Sequence, residues 1–195
     1  MSEQPPLVLV VEDEPDLADL YAAWLGDEYR VLTAYGGQEA LDALDSADEE
    51  VNAILLDRRM PGLSGDEVLA AVRERGIDCR VAMVTAVEPD FDILKMGFDD
   101  YLVKPVSSDT LRETVEGLLQ RSEYDDEMQE LFSLTSKKAM LEAEKSATEL
   151  DDNDEYQRLA NRIRELRSEA DESLSAVAED DDDFEKLFQE FDTDG

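Results

Sequence analysis

ILLDRRMPGLSG, residues 54–65, is the stretch that organises the amino-terminal part of the chain. Its three bulky apolar residues end abruptly at Asp57, and a Met-Pro-Gly turn follows. An apolar run bounded by turn residues predicts a buried strand, which places Asp57 at the tip of that strand. A carboxylate in such a position is costly unless other groups pair with it. Asp57 therefore needs partners, and the ends of other predicted strands supply them.

Four further apolar runs are predicted as strands, and helical patterns alternate with them. The five predicted strands are Leu7–Val11, Tyr29–Ala34, Val51–Leu56, Arg80–Thr85 and Tyr101–Val103. The predicted helices start at Pro15, near Ala40, at Gly65, at Pro89 and near Ser107. The fourth of them, Pro89–Met96, has the weakest pattern. Strands that are apolar on both faces and separated by helices indicate a parallel sheet covered on both sides, hence an α/β fold.

Polar residues stand at the carboxyl ends of these strands, where doubly wound sheets place their functional sites. These residues are Glu12, Asp13, Asp57, Thr85 and Lys104. Because parallel strands end at the same edge of a sheet, we expect three acids, a hydroxyl and an ammonium to converge. Clustered carboxylates favour a hard divalent cation, and a ligand set made only of oxygen indicates Mg²⁺.

Each of these residues also has a simpler interpretation when it is taken alone. Glu12 and Asp13 could be a charge pair at a helix N-terminus, stabilised by the helix dipole. Lys104 could be a surface lysine, and Thr85 could cap a strand end. The ordered set across several strand ends favours one shared site over these separate explanations.

Residues 1–121 resemble the receiver domain of two-component response regulators. The matching pieces are LVLVVEDEP (7–15), ILLDRRMPGLSG (54–65), VAMVTA (81–86) and DYLVKP (100–105). The resemblance implies a flavodoxin-like fold with a five-stranded parallel sheet in the order 2-1-3-4-5. It also implies transfer of a phosphoryl group to Asp57 from the phosphohistidine of a sensor histidine kinase.

The resemblance further implies how Mg²⁺ is held. Asp13 and Asp57 ligate the ion directly, and Glu12 does so through water. The backbone carbonyl of Arg59 is a further ligand, so the Arg59 side chain need not match the family. The acidic pair of this chain is Glu-Asp rather than Asp-Asp, which is a common variant in the family. Glu12 is longer than an aspartate but still offers an oxygen ligand.

Three more roles follow from the resemblance. Lys104 and Thr85 contact oxygens of the phosphoryl group, and inward movement of that hydroxyl is coupled to rotation of an aromatic residue, here Tyr101. An aromatic at that position could also simply fill the core. Val87 is apolar and stands two residues after Thr85, where it would hinder water. We therefore expect slow self-dephosphorylation.

The chain has 52 acidic and 18 basic residues, for a formal net charge of −34. The excess is even, with a net charge of −17 in residues 1–122 and again in residues 123–195. Such charge destabilises a compact chain in dilute salt, and salt near 1 M screens it over about 3 Å. The composition resembles that of proteins from salt-loving archaea, so we expect greater stability in molar KCl.

Composition also excludes several classes of site. The sequence contains no His and a single Cys, Cys79, so this chain alone cannot build a zinc site or a Ser-His-Asp triad. We expect Cys79 to be a small buried apolar residue. No apolar run approaches the length of about 18 residues typical of a membrane-spanning helix, and no leader opens the chain. We expect a cytoplasmic protein that does not enter the membrane.

Residues 122–195 follow a different pattern, without Gly or Pro before the last residue. Helices are predicted over about 124–149 and 154–178, the second with heptad spacing. Its heptad positions are Tyr156, Leu159, Ile163, Leu166, Ala170, Ser173 and Val177. Such a pair predicts an antiparallel hairpin that buries little by itself, so we expect it to pack on a partner or form a homodimer. Residues 122–178 resemble the HalX domain of haloarchaeal regulators, and 179–195 are an acidic spacer with a short amphipathic segment.

Three functions fit these patterns. The first is a response regulator whose phosphorylation switches a helical interaction or dimerisation output. The second is a transcription regulator that binds DNA through the HalX-like region; its net negative charge argues weakly against this, although molar salt reduces the need for a basic surface. The only basic clusters there are Lys137, Lys138, Arg158, Arg162, Arg164 and Arg167. The third is a magnesium enzyme such as a phosphatase. The sequence pattern shows no separate general acid and no substrate pocket for such an enzyme.

Overall fold

The computed structural model describes residues 4–121 and 126–178, so the amphipathic segment predicted within 179–195 lies outside the described residues. The strands are β1 (Leu7–Val11), β2 (Arg30–Ala34), β3 (Ala53–Leu56), β4 (Arg80–Thr85) and β5 (Asp100–Val103). The helices are α1 (Pro15–Leu25), α2 (Gly37–Ser46), α3 (Gly65–Glu74), a 3-10 helix (Phe91–Lys95), α4 (Ser108–Arg121), α5 (Asp126–Glu144), α6 (Ala147–Asp151) and α7 (Asp154–Ala178). None of the described helices is both long and apolar enough to cross a membrane.

The five strands form one parallel sheet in the order β2-β1-β3-β4-β5, which confirms the expected fold. Val11 at the end of β1 pairs with Leu56 at the end of β3 and with Ala34 at the end of β2. This register brings the carboxyl ends of the central strands level with one another. Residues that follow these strands therefore meet at one edge of the sheet.

Successive side chains of the strands point to opposite faces, and both faces are buried. On one face Val8, Val10 and Leu55 pack with α1 and α4. On the other face Leu9 and Ile54 pack with α2 and α3, and with the carboxyl-terminal helices. Because both faces are covered, the strands read as continuous apolar runs in the sequence.

The fourth predicted helix is a 3-10 helix of five residues, Phe91–Lys95, and no α-helix forms there. The Asp90 carboxylate accepts a hydrogen bond from the backbone N–H of Phe91 at 2.8 Å, and the chain is again extended at Met96. Only Ile93 of this helix is fully buried. Its sequence has too few regularly spaced apolar residues to form the core face of a longer helix.

The carboxyl-terminal helices α5, α6 and α7 pack together as one helical hairpin, and "the hairpin" refers to these three helices below. The predicted first helix, 124–149, is broken at residues 145–146 because Ser146 and Glu149 form a capping box that starts α6. The Tyr156 hydroxyl donates a hydrogen bond to Glu142, and the Arg162 guanidinium donates one to Glu130. Because the later residue of α7 meets the earlier residue of α5, the two helices run antiparallel, as expected. The described heptad positions buried below a tenth of their surface are Tyr156, Leu159, Ile163 and Leu166. The side chains of Ser173 and Val177 lie outside the described residues.

The hairpin packs on the sheet domain beside the 3-10 helix and β5. Leu141 and Tyr156 belong to the same buried cluster as Ile93 and Phe98. The Ser133 hydroxyl donates to the backbone carbonyl of Phe98 at 2.8 Å. The sheet domain of the same chain thus buries the apolar face that a lone hairpin would leave exposed. Formation of a homodimer remains a prediction.

Lys137 is a buried cation in this contact. Its side chain is only 5% exposed, its ammonium donates to the carbonyl of Met96, and it lies 5.1 Å from the centroid of the Phe98 ring. Burial lowers the pKa of Lys137 from 10.5 to about 8; the charge of Asp99 opposes the shift and that of Arg73 favours it. Lys137 therefore holds its proton less tightly in the folded protein than in the unfolded chain.

We expect this pKa difference to make stability depend on pH. Between pH 8 and 10.5 the unfolded chain binds more protons at Lys137 than the folded chain, so stability rises with pH. From about pH 7 to about pH 9.5 the free energy of unfolding of the wild type should gain about 2 kcal/mol relative to Lys137→Met. Urea denaturation in molar KCl measures this difference.

Lys138→Met is the matched control, because Lys138 is the adjacent lysine, is partly exposed and pairs with Glu142. Its difference from the wild type should stay constant over the same pH range. A constant difference for Lys137→Met as well would contradict the pH effect assigned to Lys137.

Candidate functional site

The carboxyl edge of the sheet brings the predicted site residues together. Glu12 and Asp13 follow β1, Asp57 follows β3, Thr85 ends β4, and Lys104 follows β5. The backbone N–H of Glu12 donates to Ala34, that of Asp57 to Val11, and that of Lys104 to Thr85, all at 3.0 Å or less. The strand ladder thus continues one residue beyond the strands and fixes the backbone of the site.

Three carboxylates form the acidic part of the site. Glu12, Asp13 and Asp57 each offer an oxygen, and these oxygens lie within 4.8 Å of one another. Glu12 and Asp57 are 2% and 6% exposed, whereas Asp13 is partly exposed. Burial raises the pKa of Glu12, although the hydrogen bonds from Lys104 and from the Glu14 backbone act in the opposite direction. Such close carboxylates require positive charge nearby.

Lys104 supplies positive charge from the end of β5. Its ammonium donates to Glu12 at 2.5 Å and to Asp57 at 3.2 Å. Burial alone would lower the pKa of Lys104, but the hydrogen bond to Glu12 and the charge of Asp57 outweigh it, so the pKa is raised. Lys104 therefore stays charged and bridges two of the three acids.

Thr85 ends β4, the strand that pairs with β3 in the sheet. It is 1% exposed, and its hydroxyl oxygen accepts a hydrogen bond from the backbone N–H of Val87 at 3.3 Å. A cleft of about 500 Å³ opens between this hydroxyl and the acids. It is lined by Asp13, Glu14, Asp57, Arg59, Thr85, Ala86, Val87, Glu88 and Lys104. Most of these residues are charged or polar, and the cleft is open to solvent, so it gives access to the Asp57 carboxylate.

The loop that follows Asp57 is held by a close backbone approach. We call residues 57–64, which join β3 to α3, the acceptor loop. The backbone N–H of Gly65 donates to the carbonyl of Arg58 at 2.8 Å, and Ser64 caps α3 through a capping box with Glu67. The Arg59 side chain is exposed, and its backbone N–H lies 3.4 Å from the Asp57 carboxylate. The part assigned to the Arg59 carbonyl remains a prediction.

Tyr101 is buried beside the site. Its hydroxyl donates to the backbone carbonyl of Val87 at 2.5 Å, and its ring centroid lies 5.4 Å from that of Phe98. Burial raises the pKa of Tyr101, while the adjacent Arg58 acts to lower it. Tyr101 thus connects the segment after Thr85 to the contact with the hairpin. Its action as a switch remains a prediction.

Sequence reasoning missed Arg58. The residue follows Asp57 directly and is 9% exposed, with its guanidinium against Asp66, Asp92 and Tyr101. In the sequence Arg58 and Arg59 form an ordinary basic pair, and no local signal shows that only the first points inward.

Comparison with known proteins assigns the chain to a family. The family model of the response regulator receiver domain matches residues 8–116, more than half of the chain. The chain belongs to the response regulator receiver family. The HalX domain model matches residues 120–188 and therefore follows the receiver domain directly.

Two curated relatives carry regulatory names. A "Putative transcriptional regulator" of Haloferax volcanii is 49% identical over 169 residues, which cover 86% of this chain and 28% of that protein. The alkaline phosphatase synthesis transcriptional regulatory protein PhoP of Bacillus subtilis is 36% identical over 120 residues, covering 60% of this chain and 49% of PhoP. The chain thus spans less than half the length of either relative.

A solved response regulator structure also matches. The response regulator protein TrrA from Thermotoga maritima, in complex with Mg²⁺ and BeF, is 35% identical with a TM-score of 0.52. The match covers 58% of this chain and 99% of that structure.

Proposed function

We propose that this protein is the response regulator of a two-component phosphorelay, in which a sensor histidine kinase transfers a phosphoryl group to Asp57. The observation that carries the proposal is the convergence of three carboxylates, with Lys104 bridging Glu12 and Asp57. Such a cluster, with an ammonium at one side and an open cleft beside it, suits a carboxylate that accepts a phosphoryl group once a cation is bound. Membership of the receiver family supports the same role.

The donor set fits Mg²⁺. Glu12, Asp13 and Asp57 provide only hard oxygen ligands, and their oxygens are close enough to share one ion. In the proposed arrangement the Arg59 carbonyl completes the protein ligands, with Glu12 acting through water. Bound Mg²⁺ would offset the repulsion between these acids and the incoming phosphoryl group.

Asp57 is the nucleophile in the proposed transfer. One of its carboxylate oxygens attacks the phosphorus of the phosphohistidine; the new P–O bond forms as the P–N bond breaks, and the electron pair leaves with the imidazole. Lys104 moves from its acidic partners to an oxygen of the phosphoryl group as a point charge. The Thr85 hydroxyl donates to another oxygen. Positioning and charge stabilisation are most of what such a transfer requires.

The output is proposed to be the hairpin, with domains at 1–121 and 122–178. Tyr101 links the Thr85 segment to this output through Phe98. The protein acts as a signalling switch and not as an enzyme. Apolar Val87 lines the cleft, and we propose that it slows hydrolysis of the acyl phosphate.

A second candidate function is DNA binding through the HalX region, favoured by the name of the Haloferax volcanii relative. The basic residues of this region are only partly available. Lys137 is buried, Lys138 pairs with Glu142, and Arg162 pairs with Glu130. Arg158, Arg164 and Arg167 are exposed. A DNA-binding assay in molar KCl, with and without phosphorylation, separates the two outputs.

Acetyl phosphate tests the proposed function directly. The full chain in molar KCl with Mg²⁺ should gain one phosphoryl group, seen as a single mass increment and removed by hydroxylamine. Chelation of Mg²⁺ should prevent the labelling, because the three acids then repel the donor. Absence of a label in the presence of Mg²⁺, or equal labelling without it, would contradict the proposal.

A further inference from the structure

Arg58 joins three elements that are distant in sequence. Its guanidinium forms a forked pair with Asp66 at the start of α3, with both distances 2.9 Å. It also donates to Asp92 of the 3-10 helix at 2.6 Å and lies 3.5 Å from the Tyr101 hydroxyl. The planar, forked guanidinium can serve several partners at once, which an ammonium does with less geometric control.

These contacts matter because Arg58 is buried in the acceptor loop. Its side chain is 9% exposed, whereas Asp66 and Asp92 are 46% and 54% exposed. A buried guanidinium that lost one carboxylate would keep a desolvated charge with fewer partners, which is costly. Its position and that of the 3-10 helix are therefore set together.

The same 3-10 helix also holds the hairpin. Asp90, just before it, pairs with Lys145 at 2.9 Å, and Lys95 at its end pairs with Glu155 at 3.0 Å. The Lys145 ammonium lies 5.3 Å from the centroid of the Phe91 ring. A 3-10 helix of five residues makes few internal hydrogen bonds, so such outer contacts decide where it lies.

The 3-10 helix thus lies between Arg58 on one side and the hairpin on the other. We propose that Arg58 is the positioning residue that couples the acceptor loop to the hairpin, through Asp92 and the 3-10 helix. The inference rests on the proposed function, because it concerns how phosphorylation of the adjacent Asp57 is passed on. When Asp57 changes, the acceptor loop moves Arg58, and Arg58 moves the 3-10 helix on which the hairpin rests.

Amide hydrogen exchange of the full chain tests this coupling. The hairpin is followed in molar KCl with Mg²⁺, before and after addition of beryllium fluoride, which stands in for the phosphoryl group. In the wild type the exchange rates of α5 should change by at least about threefold. In Arg58→Met and in Asp92→Asn this change should be lost, although Asp57 remains present. Arg58→Lys, which keeps the charge without the fork, should retain part of it.

Arg75→Met is the matched control. Arg75 forms a surface ion pair at 2.8 Å with Asp45 of α2 rather than with Asp92 of the 3-10 helix, so the response of its variant should equal that of the wild type. Because Arg58→Met could unfold the chain, Asp92→Asn, which leaves Arg58 paired with Asp66, keeps the test decisive. Circular dichroism identifies the variants that remain folded.

Labelling of each variant by acetyl phosphate separates the two levels of inference. If the variants are labelled and their hairpins respond as in the wild type, the role of Arg58 is overturned and the proposed function stands. If the wild type is labelled but its hairpin does not respond, the coupling is also overturned. If the wild type takes up no label, the proposed function fails, and the role of Arg58 fails with it.

Discussion

Asp57→Asn is expected to abolish labelling of the chain by acetyl phosphate. An asparagine amide offers no carboxylate oxygen for attack on phosphorus, and it is a weaker ligand for Mg²⁺. The fold should persist, because asparagine has nearly the same volume and Lys104 keeps Glu12 as its partner at 2.5 Å. Intact-protein mass spectrometry in molar KCl with Mg²⁺ should show no phosphorylated species at times when the wild type is fully labelled.

Asp45→Asn is the control for this change. Asp45 is an exposed aspartate whose partner is Arg75, so its replacement should leave both the extent and the rate of labelling unaltered. Labelling of Asp57→Asn at the wild-type rate would remove Asp57 as the acceptor. A label found instead on Asp13, the other aspartate of the cluster, would move the acceptor to the neighbouring strand end.

The convergence of the site residues was predictable because it follows from strand direction. Asp57 and Lys104 are 47 residues apart, yet each follows an apolar run. Once the runs are taken as parallel strands, their ends must meet at one edge of the sheet. The direct contact between Lys104 and Glu12 was not foreseen, since side-chain pairing among several acids depends on distances that a sequence does not contain.

Arg58 shows why other parts of the molecule could not be predicted. Arg58 and Arg59 are adjacent and chemically identical, and neither belongs to an apolar pattern. Arg58 turns inward because Asp66 and Asp92 lie where its guanidinium can reach them. Asp92 is 34 residues away in a segment without a strong pattern, so the partnership exists only in three dimensions.

The docking of the hairpin was likewise hidden in the sequence. Heptad spacing in α7 correctly indicated a buried seam, but it could not show what else the hairpin would cover. The short 3-10 helix provides less cover beside β5 than an α-helix would, and Leu141 and Tyr156 of the hairpin share its buried cluster. Lys137, which reads as a surface cation, is enclosed in this contact. The hairpin packs where the neighbouring helix of the sheet domain is short. That helix lies in Pro89–Met96, which had the weakest helical pattern in the sequence.

Gly65→Ala is expected to disturb the acceptor loop strongly. A Cβ atom at this position would lie 1.9 Å from the carbonyl oxygen of Asp57 and 2.8 Å from the Cα of Arg58. Both contacts are with backbone, so no side chain can rotate away, and either α3 or the acceptor loop must shift. We expect a loss of about 3 kcal/mol or more in the free energy of unfolding, at the upper end of overpacking costs.

The same shift should slow labelling of Asp57, because the carboxylate then leaves its place beside Lys104. Gly117→Ala in α4 is the control: an added Cβ there meets no atom within 4 Å. It should stabilise the chain by up to about 1 kcal/mol, since alanine is the better helix former. Urea denaturation and acetyl phosphate labelling measure both variants. Equal stability of the two variants, with unchanged labelling, would mean that the close approach of α3 to Asp57 does not hold the acceptor in place.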